Sequence, residues 1–123
     1  MISALRCLLI AAVAAAVPAL AAAQAVEQGT GAELRVLDKL NGITKDVRLG
    51  SRQRSVQGRI EVEMKECRYP VGNPAGDAYA FVTVREIGVD APVFEGWMIA
   101  SAPAVNPMDH ARYDVWVLRC TTS

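Results

Sequence analysis

The stretch Val56-Gln57-Gly58-Arg59-Ile60-Glu61-Val62-Glu63-Met64-Lys65 carries the strongest structural pattern in the chain. Apolar residues or glycine occupy every second position, and polar or charged residues occupy the positions between them. Successive side chains of a β-strand point to opposite faces, so this period of two predicts a strand with one face against a core and the other in water. We expect one continuous strand over residues 56–65.

Segments on both sides of this stretch also read as strands. They cover Ala32–Leu40, Ile43–Leu49, Asp77–Ile87, Val93–Ile99 and Tyr113–Cys120. Asn41-Gly42 lies between the first two and is typical of a hairpin turn, in which both central residues of the type I′ form need positive φ. Asp77–Ile87 is apolar on both faces, which predicts a central strand. About six strands with turns between them predict an all-β fold: a small antiparallel β-sandwich or barrel, with a long irregular loop over Ala100–Arg112 before the last strand.

The N-terminus has the three parts of a secretory signal peptide. Arg6 is the only charged residue before Glu27, Cys7–Ala23 is an apolar, Ala-rich run, and the run ends in small residues. We therefore predict cleavage after Ala23, which gives a signal peptide over 1–23, a flexible leader over 24–31 and a β domain over 32–123. The alternative is an uncleaved anchor, since the run of about 17 residues is at the lower limit for crossing a bilayer.

Signal cleavage leaves two cysteines, Cys67 and Cys120. An isolated pair in an exported protein predicts a disulfide, which here would close a loop of roughly 54 residues. A metal or redox pair is the alternative, but the two cysteines are far apart and the chain has no C-x-x-C motif. After cleavage no transmembrane span is expected.

Composition excludes two further classes of function. Removing Arg6 from 13 basic residues leaves 12 against 13 acidic residues, so the mature chain has a formal charge of −1. Nucleic-acid binding requires a positive excess, and we expect none. One histidine and the absence of an acidic calcium-binding loop predict no metal site and no cofactor.

The segment from Gly96 to Trp116 concentrates the residues that can carry chemistry. The candidate binding or bracing residues are Trp97, Ser101, Asp109, His110, Tyr113, Asp114 and Trp116. A serine, a histidine and aspartates in one segment invite a hydrolase interpretation, but there is no G-x-S-x-G elbow. We expect a structural role instead: His110 braces the loop through a backbone or carboxylate group, and the two tryptophans anchor its ends in the core. No catalytic residue is assigned, and a hydrolase or ligand site stays as the alternative.

A second candidate surface is locally basic and lies in a predicted hairpin between Lys45 and Arg59. Its residues are Lys45, Arg48, Arg52, Arg54 and Arg59, with Asp46 as the only acid among them. Charged residues on a sheet edge discourage pairing with other chains, which is the structural interpretation. The functional alternative is contact with an anionic envelope component, such as a phosphorylated lipid or a membrane surface.

Taken together, several stretches resemble the domain of unknown function 2155 family. They are Leu34–Gly42, Cys67–Pro70, Asp77–Phe81, Gly96–Met98, Ser101–Ala104, Asp109-His110 and Tyr113–Val117 before Cys120. The resemblance covers about residues 31–120 and implies an exported protein of Gram-negative bacteria, with a periplasmic location and no transferable site residue. We therefore expect a non-enzymatic periplasmic β domain that binds an envelope partner and serves envelope assembly or maintenance. The alternative is a small hydrolase or ligand-binding protein that uses the Trp97–Trp116 region.

Overall fold

A computed structural model of the protein describes residues 25–123, so the predicted signal peptide lies outside the described residues. Eight strands form two antiparallel sheets that pack face to face, which confirms the all-β prediction as a small β-sandwich. The strands are β1 Val26–Gln28, β2 Gly31–Asp38, β3 Ile43–Gly50, β4 Gln53–Gln57, β5 Ile60–Pro70, β6 Tyr79–Glu86, β7 Phe94–Ile99 and β8 Tyr113–Thr121. Over residues 25–123, no helix is long and apolar enough to cross a membrane.

The first sheet has five strands and the second has three. In the five-stranded sheet, β5 pairs with both β1 and β4 on one side and with β6 on the other, and β7 follows β6. The three-stranded sheet has the order β3-β2-β8. Because β6 lies between β5 and β7, the prediction of a central strand is confirmed.

The prediction of one strand over residues 56–65 is wrong, because the chain reverses at Gly58-Arg59. Gln57 at the end of β4 pairs with Ile60 at the start of β5, and Gly58 has φ +58°. A glycine with positive φ in the first position of a two-residue hairpin is the pattern of a type II′ turn. Val56 on β4 is consequently 58% exposed, whereas the apolar residues of β5 in the same alternation are buried.

The turn at Gly58 also needs space beneath it. A Cβ at this position would lie 2.5 Å from the hydroxyl oxygen of Tyr113 on β8. That hydroxyl accepts a hydrogen bond from the Arg59 backbone N–H at 3.1 Å. The buried tyrosine therefore joins the β4–β5 turn to the opposite sheet.

Residues 26–28, within the segment expected to be a flexible leader, form β1 against the end of β5. The chain then passes close to β5 and β8 at Gly29, whose N–H donates to the Cys67 carbonyl at 2.7 Å. A Cβ on Gly29 would lie 2.8 Å from the Thr121 carbonyl oxygen. With β1 and the division into β4 and β5, the structure has eight strands where about six were expected.

The hairpin predicted at Asn41-Gly42 joins β2 and β3, but its loop is longer than the type I′ form. Asp38 pairs with Ile43, so the loop contains four residues. Gly42 has φ +72°, whereas Asn41 has a negative φ and uses its side chain to accept the Ile43 N–H at 2.9 Å. One positive φ, and not two, is sufficient for this turn.

The core lies between the sheets and is built from alternate residues of the strands. Its largest fully buried side chains are Leu34, Ile60, Val62, Met64, Val82, Val84 and Val117. Cys67 of β5 and Cys120 of β8 form the predicted disulfide across the two sheets, with their Cα atoms 5.6 Å apart. The bond links strands 53 residues apart in sequence.

The long segment between β7 and β8 runs back along one side of the sandwich. Ala100 begins it with an N–H bond to the Ala78 carbonyl beside the start of β6, at 2.9 Å. His110, near its end, bonds Glu86 at the far end of β6. Between them Met108 is only 4% exposed, so this segment contributes one side chain to the core.

Candidate functional site

Ser101 and His110, the residues of the hydrolase interpretation, lie at opposite ends of β6. The Ser101 backbone N–H and hydroxyl both donate to Asp77, at 2.9 and 2.5 Å, just before β6 begins. His110 bonds Glu86, the last residue of β6. Eight residues of strand extend over about 23 Å, so Ser101 and His110 are far beyond hydrogen-bond distance of each other.

The Asp77 carboxylate fixes the beginning of the segment. Burial raises the pKa of Asp77. Hydrogen bonds from the Ser101 hydroxyl, the Ser101 N–H and the Ala78 N–H together lower it by more than burial raises it, so the pKa lies below its ordinary value of 3.8. Hydrogen bonds to the charged form of an acid favour that form. Asp77 is therefore ionised and holds the start of the loop through Ser101, a contact that we name the Asp77 latch.

The His110 imidazole holds the end of the segment with both of its nitrogens. Nδ1 accepts the backbone N–H groups of Arg112 and Tyr113, each at 3.0 Å. A nitrogen that accepts two bonds carries no hydrogen, so the proton is assigned to Nε2, which donates to Glu86 Oε1 at 2.8 Å. The side chain is 13% exposed, and its polar atoms are used within the fold.

Of the other polar candidates of this segment, Tyr113 lies beside His110, with the ring centroids 5.7 Å apart, whereas the two aspartates do not bond the His110 ring. Asp109 is exposed. The Asp114 carboxylate accepts a hydrogen bond from the Val115 backbone N–H at 2.9 Å. Tyr113 is 3% exposed and bonds the β4–β5 turn through its hydroxyl. Within residues 25–123, no contact links Asp109 or Asp114 to the His110 ring nitrogens.

The expectation that both tryptophans lie in the core is wrong. On β7 the inward positions are Phe94, Gly96 and Met98, so Trp97 points outward from the five-stranded sheet. On β8 the inward positions include Val115 and Val117, so Trp116 points outward from the three-stranded sheet. Each tryptophan is partly buried, and the two lie on opposite outer faces of the sandwich.

The expectation of one basic hairpin is also wrong, because β3 and β4 belong to different sheets. Lys45 and Arg48 lie on β3, and Arg59 lies in the β4–β5 turn. Arg52 lies just before β4, and Arg54 lies on β4, which belongs to the five-stranded sheet. The chain crosses between sheets at Arg52, whose φ of +69° and N–H bond to the Met64 carbonyl at 2.8 Å fix the crossing.

The topology instead brings Arg52 and Arg54 next to Trp97 on the outer side of the five-stranded sheet. Trp97 lines two shallow grooves there, of about 720 and 370 Å³. Arg52 and Arg54 line the larger groove, together with Phe81. We name this surface the aromatic face and define it by Arg52, Lys65, Arg68, Tyr79, Phe81 and Trp97.

Cations contact the aromatic rings of this face directly. The Arg68 guanidinium carbon lies 4.9 Å from the centroid of the Trp97 ring, and the Lys65 ammonium lies 5.6 Å from that of Phe81. Arg68 also pairs with Glu66 at 2.6 Å. Such contacts between a cation and a ring stabilise the arrangement by about 0.5–1 kcal/mol at exposed sites.

Two cations of the aromatic face remain without a carboxylate partner. Arg54 pairs with Glu63 at 3.1 Å and with Glu61 at 3.5 Å. In the part of the chain that the structure describes, Arg52 and Lys65 have no ion pair. The larger groove therefore has positive charge without an ion-pair partner beside partly exposed aromatic rings.

Sequence reasoning missed four members of the aromatic face: Lys65, Arg68, Tyr79 and Phe81. Tyr79 and Phe81 alternate with the buried residues of β6, and this second apolar face was visible in the sequence. In the sequence alone, such a face also fits a strand that is buried on both sides. No layer of residues 25–123 covers this side of the sheet, so these apolar side chains are partly exposed.

A separate cleft of about 430 Å³ lies at the His110 end of the sandwich, lined also by Arg59, Glu86, Arg112 and Tyr113. Its arginines differ in their surroundings. The Arg112 guanidinium pairs with Asp38 at 3.0 Å, and this bond holds the pKa of Asp38 below its ordinary value. Arg59, in contrast, has no ion pair within residues 25–123.

No group of three or more histidine, cysteine, aspartate or glutamate side chains among residues 25–123 is placed to hold a metal ion. Residues 32–120 match the model of a family described as "Uncharacterized protein conserved in bacteria (DUF2155)". No curated protein and no solved structure matches the chain.

Proposed function

The chain belongs to the DUF2155 family of bacterial proteins, and on that premise we propose that it is a non-enzymatic binding domain of the periplasm. In this proposal it attaches to a partner in the cell envelope and supports envelope assembly or maintenance. The observation that carries the proposal is the aromatic face, where Trp97 and Phe81 stand partly exposed beside cations that lack carboxylate partners.

Two features support the periplasmic location. The N-terminal sequence has a positive residue, an apolar run and small residues before the expected cleavage point at Ala23. The Cys67–Cys120 disulfide fits an oxidising compartment, since disulfides are rare in the cytosol.

A comparison of the two outer faces supports binding at the aromatic face. On the three-stranded sheet the charges are paired with one another: Arg35 makes two hydrogen bonds to Asp46, and Glu33 accepts a bond from Arg119. On the five-stranded sheet, aromatic rings and unpaired cations share one surface. Aromatic residues and arginine are enriched in the energetically important parts of interfaces.

The alternative of a small hydrolase or a ligand site at His110 would use the cleft of about 430 Å³. A general base needs a ring nitrogen available to a reacting proton. Both nitrogens of His110 bond groups of the protein, and Ser101 lies at the other end of β6. These contacts favour the binding domain over the hydrolase.

A co-sedimentation experiment tests the proposal. The mature protein is mixed with envelope fragments, containing peptidoglycan and membranes, from cells that lack it. The wild type and Trp116→Ala should sediment with the fragments, whereas Trp97→Ala should bind about tenfold more weakly or worse. Trp116 is the matched control, because it is the partly buried tryptophan of the opposite face. Equal sedimentation of the two folded variants would overturn the proposal.

A further inference from the structure

We infer that the aromatic face binds an acidic saccharide, a chain of pyranose rings that carries carboxylate groups. This inference rests on the proposed function, since it names the chemistry of the partner at the same surface.

The shape fits linked sugar rings. Trp97 lines both grooves, so a ligand that extends from one to the other contacts the Trp97 side chain. The face reaches from Arg68 on β5 to Trp97 on β7 and from Tyr79 to Phe81 along β6. Strand spacing makes this platform about 10 Å by 7 Å, the size of a disaccharide. Aromatic rings offer flat apolar surface, which the C–H faces of pyranose rings match.

The polar groups fit a ligand rich in hydroxyl and amide groups. The larger groove contains the carboxylates of Glu63 and Glu66 as well as the donors of Arg54. A sugar hydroxyl both donates and accepts, so a site with acceptors and donors around an apolar centre can satisfy it. Hydrogen bonds to charged groups are also stronger than those between neutral groups.

The charge balance favours an acidic saccharide over a neutral one. Four cations line the two grooves, Arg52, Arg54, Lys65 and Arg68, against two carboxylates, Glu63 and Glu66, which leaves a net charge of 4 − 2 = +2. Arg54 and Arg68 are already paired with glutamates. The excess therefore lies at Arg52 and Lys65, which can each meet a carboxylate of the ligand.

The same balance disfavours an anionic bilayer as the partner. A membrane surface presents many phosphates across a broad plane, and polybasic clusters recognise it. Here Glu63 and Glu66 lie in the same groove as the free cations. A chain with a few discrete carboxylates places less negative charge opposite those glutamates than a plane of phosphates does.

The test compares two probes that share their rings and differ in charge. One is a peptidoglycan glycan strand freed of its peptides, in which N-acetylmuramic acid exposes a carboxylate. The other is a neutral oligomer of N-acetylglucosamine of equal length. In calorimetric titrations at low salt, the wild type should bind the acidic strand about fivefold more tightly than the neutral one, as expected for exposed charge pairs. Trp97→Ala should lose most binding to both probes.

Charge variants test which residues cause the preference for the acidic probe. Arg52→Asn with Lys65→Gln should remove the difference between the probes, and asparagine tolerates the positive φ at position 52. Lys45→Gln with Arg59→Gln is the matched control, because these cations also lack ion pairs within residues 25–123 but lie outside both grooves of the aromatic face. That control should keep the preference of the wild type.

Three outcomes would overturn the inference. They are equal affinity of the wild type for both probes, a preference that survives Arg52→Asn with Lys65→Gln, and binding to phosphatidylglycerol vesicles but to neither saccharide. If neither saccharide binds while envelope co-sedimentation still depends on Trp97, the inference fails and the proposed function stands. If co-sedimentation does not depend on Trp97, the proposed function fails as well.

Discussion

Phe81 and Trp97 are direct cross-strand partners on β6 and β7, and their rings meet edge to face with the centroids 5.3 Å apart and the planes at 80°. This geometry is the favourable one for two aromatic rings, because the positive edge of one meets the negative face of the other. The contact therefore favours this arrangement of the two rings in the absence of a ligand. Preorganisation of this kind reduces the entropy lost on binding.

The coupling between these rings can be measured. A double-mutant cycle with Phe81→Ala and Trp97→Ala should give an interaction free energy of about 0.5–1.5 kcal/mol in urea denaturation. The same cycle with Phe81→Ala and Trp116→Ala should give about zero, because Trp116 lies on the other sheet. Coupling energies of equal size in the two cycles would contradict the packing described for Trp97.

Loss of the disulfide should destabilise the domain strongly. Replacing Cys67 and Cys120 by alanine should lower the free energy of unfolding by about 4 kcal/mol, since the bond closes a loop of roughly 54 residues in the unfolded chain. Chemical denaturation without reductant measures this loss. In mass spectrometry, the protein isolated from the periplasm without reductant should show no free thiol at either cysteine. Two alkylatable cysteines in that material would contradict the disulfide.

The Asp77 latch gives a prediction for pH. The folded state holds the pKa of Asp77 below 3.8, so its contribution to stability is present above that value and is lost as the pH falls through the lowered pKa. Ser101→Ala removes the hydroxyl donor and should destabilise the fold by about 1 kcal/mol at pH 7, allowing for exposure to solvent. The difference from the wild type should shrink as the pH falls through the lowered pKa of Asp77.

Ser51→Ala is the control for this pH dependence, because the Ser51 hydroxyl bonds a backbone carbonyl, that of Thr30, at 3.3 Å. Its effect on the free energy of unfolding should not change as the pH falls from 7 through the lowered pKa of Asp77. A Ser101→Ala effect that stays constant over the same range would show that the bond to Asp77 does not carry the stabilisation.

His110 should be a bracing residue. His110→Ala should lower the free energy of unfolding by about 1–3 kcal/mol, because it leaves the N–H groups of Arg112 and Tyr113 without their acceptor. His110→Asn places an oxygen near the position of Nδ1 and should be milder than His110→Gln, which reaches only toward Glu86. Thermal denaturation and amide exchange at residues 112 and 113 measure the difference.

The alternative role of His110 makes the opposite prediction. If the His110 cleft binds a ligand or performs hydrolysis, a folded His110 variant should lose function while its stability stays unchanged. Envelope co-sedimentation of His110→Asn at the level of the wild type supports bracing. Loss of that binding without loss of stability would replace the bracing interpretation by a ligand site.

Much of the fold follows from alternation and from turn residues. The hairpin at Asn41-Gly42, the central position of β6 and the pairing of Cys67 with Cys120 were all predictable from residue types and their spacing. The reversal at Gly58 was not, because Val56 is apolar although it faces solvent. The alternation of apolar residues therefore continues through the turn in the sequence, while the buried positions shift by one residue in the structure. Only the positive φ of Gly58 and the close approach of Tyr113 show that the chain turns there.

The candidate site was predictable only in part, because its members come from strands distant in sequence. Trp97 was singled out by its residue type, and Arg52 and Arg54 by local charge. Their meeting depends on the order of β4, β5, β6 and β7 in one sheet, which the sequence does not state. The outward direction of Trp97 also depends on the register, since a shift of one residue exchanges the two faces of a strand.

The most direct test of binding at the aromatic face uses the two tryptophans as reporters. Trp116→Phe leaves Trp97 as the only tryptophan, and Trp97→Phe leaves Trp116. On addition of solubilised envelope material, the fluorescence of Trp97 in the first variant should change and become protected from acrylamide, because the partner covers its ring. The fluorescence of Trp116 in the second variant should stay constant. A response from Trp116 and none from Trp97 would contradict the assignment of the binding surface.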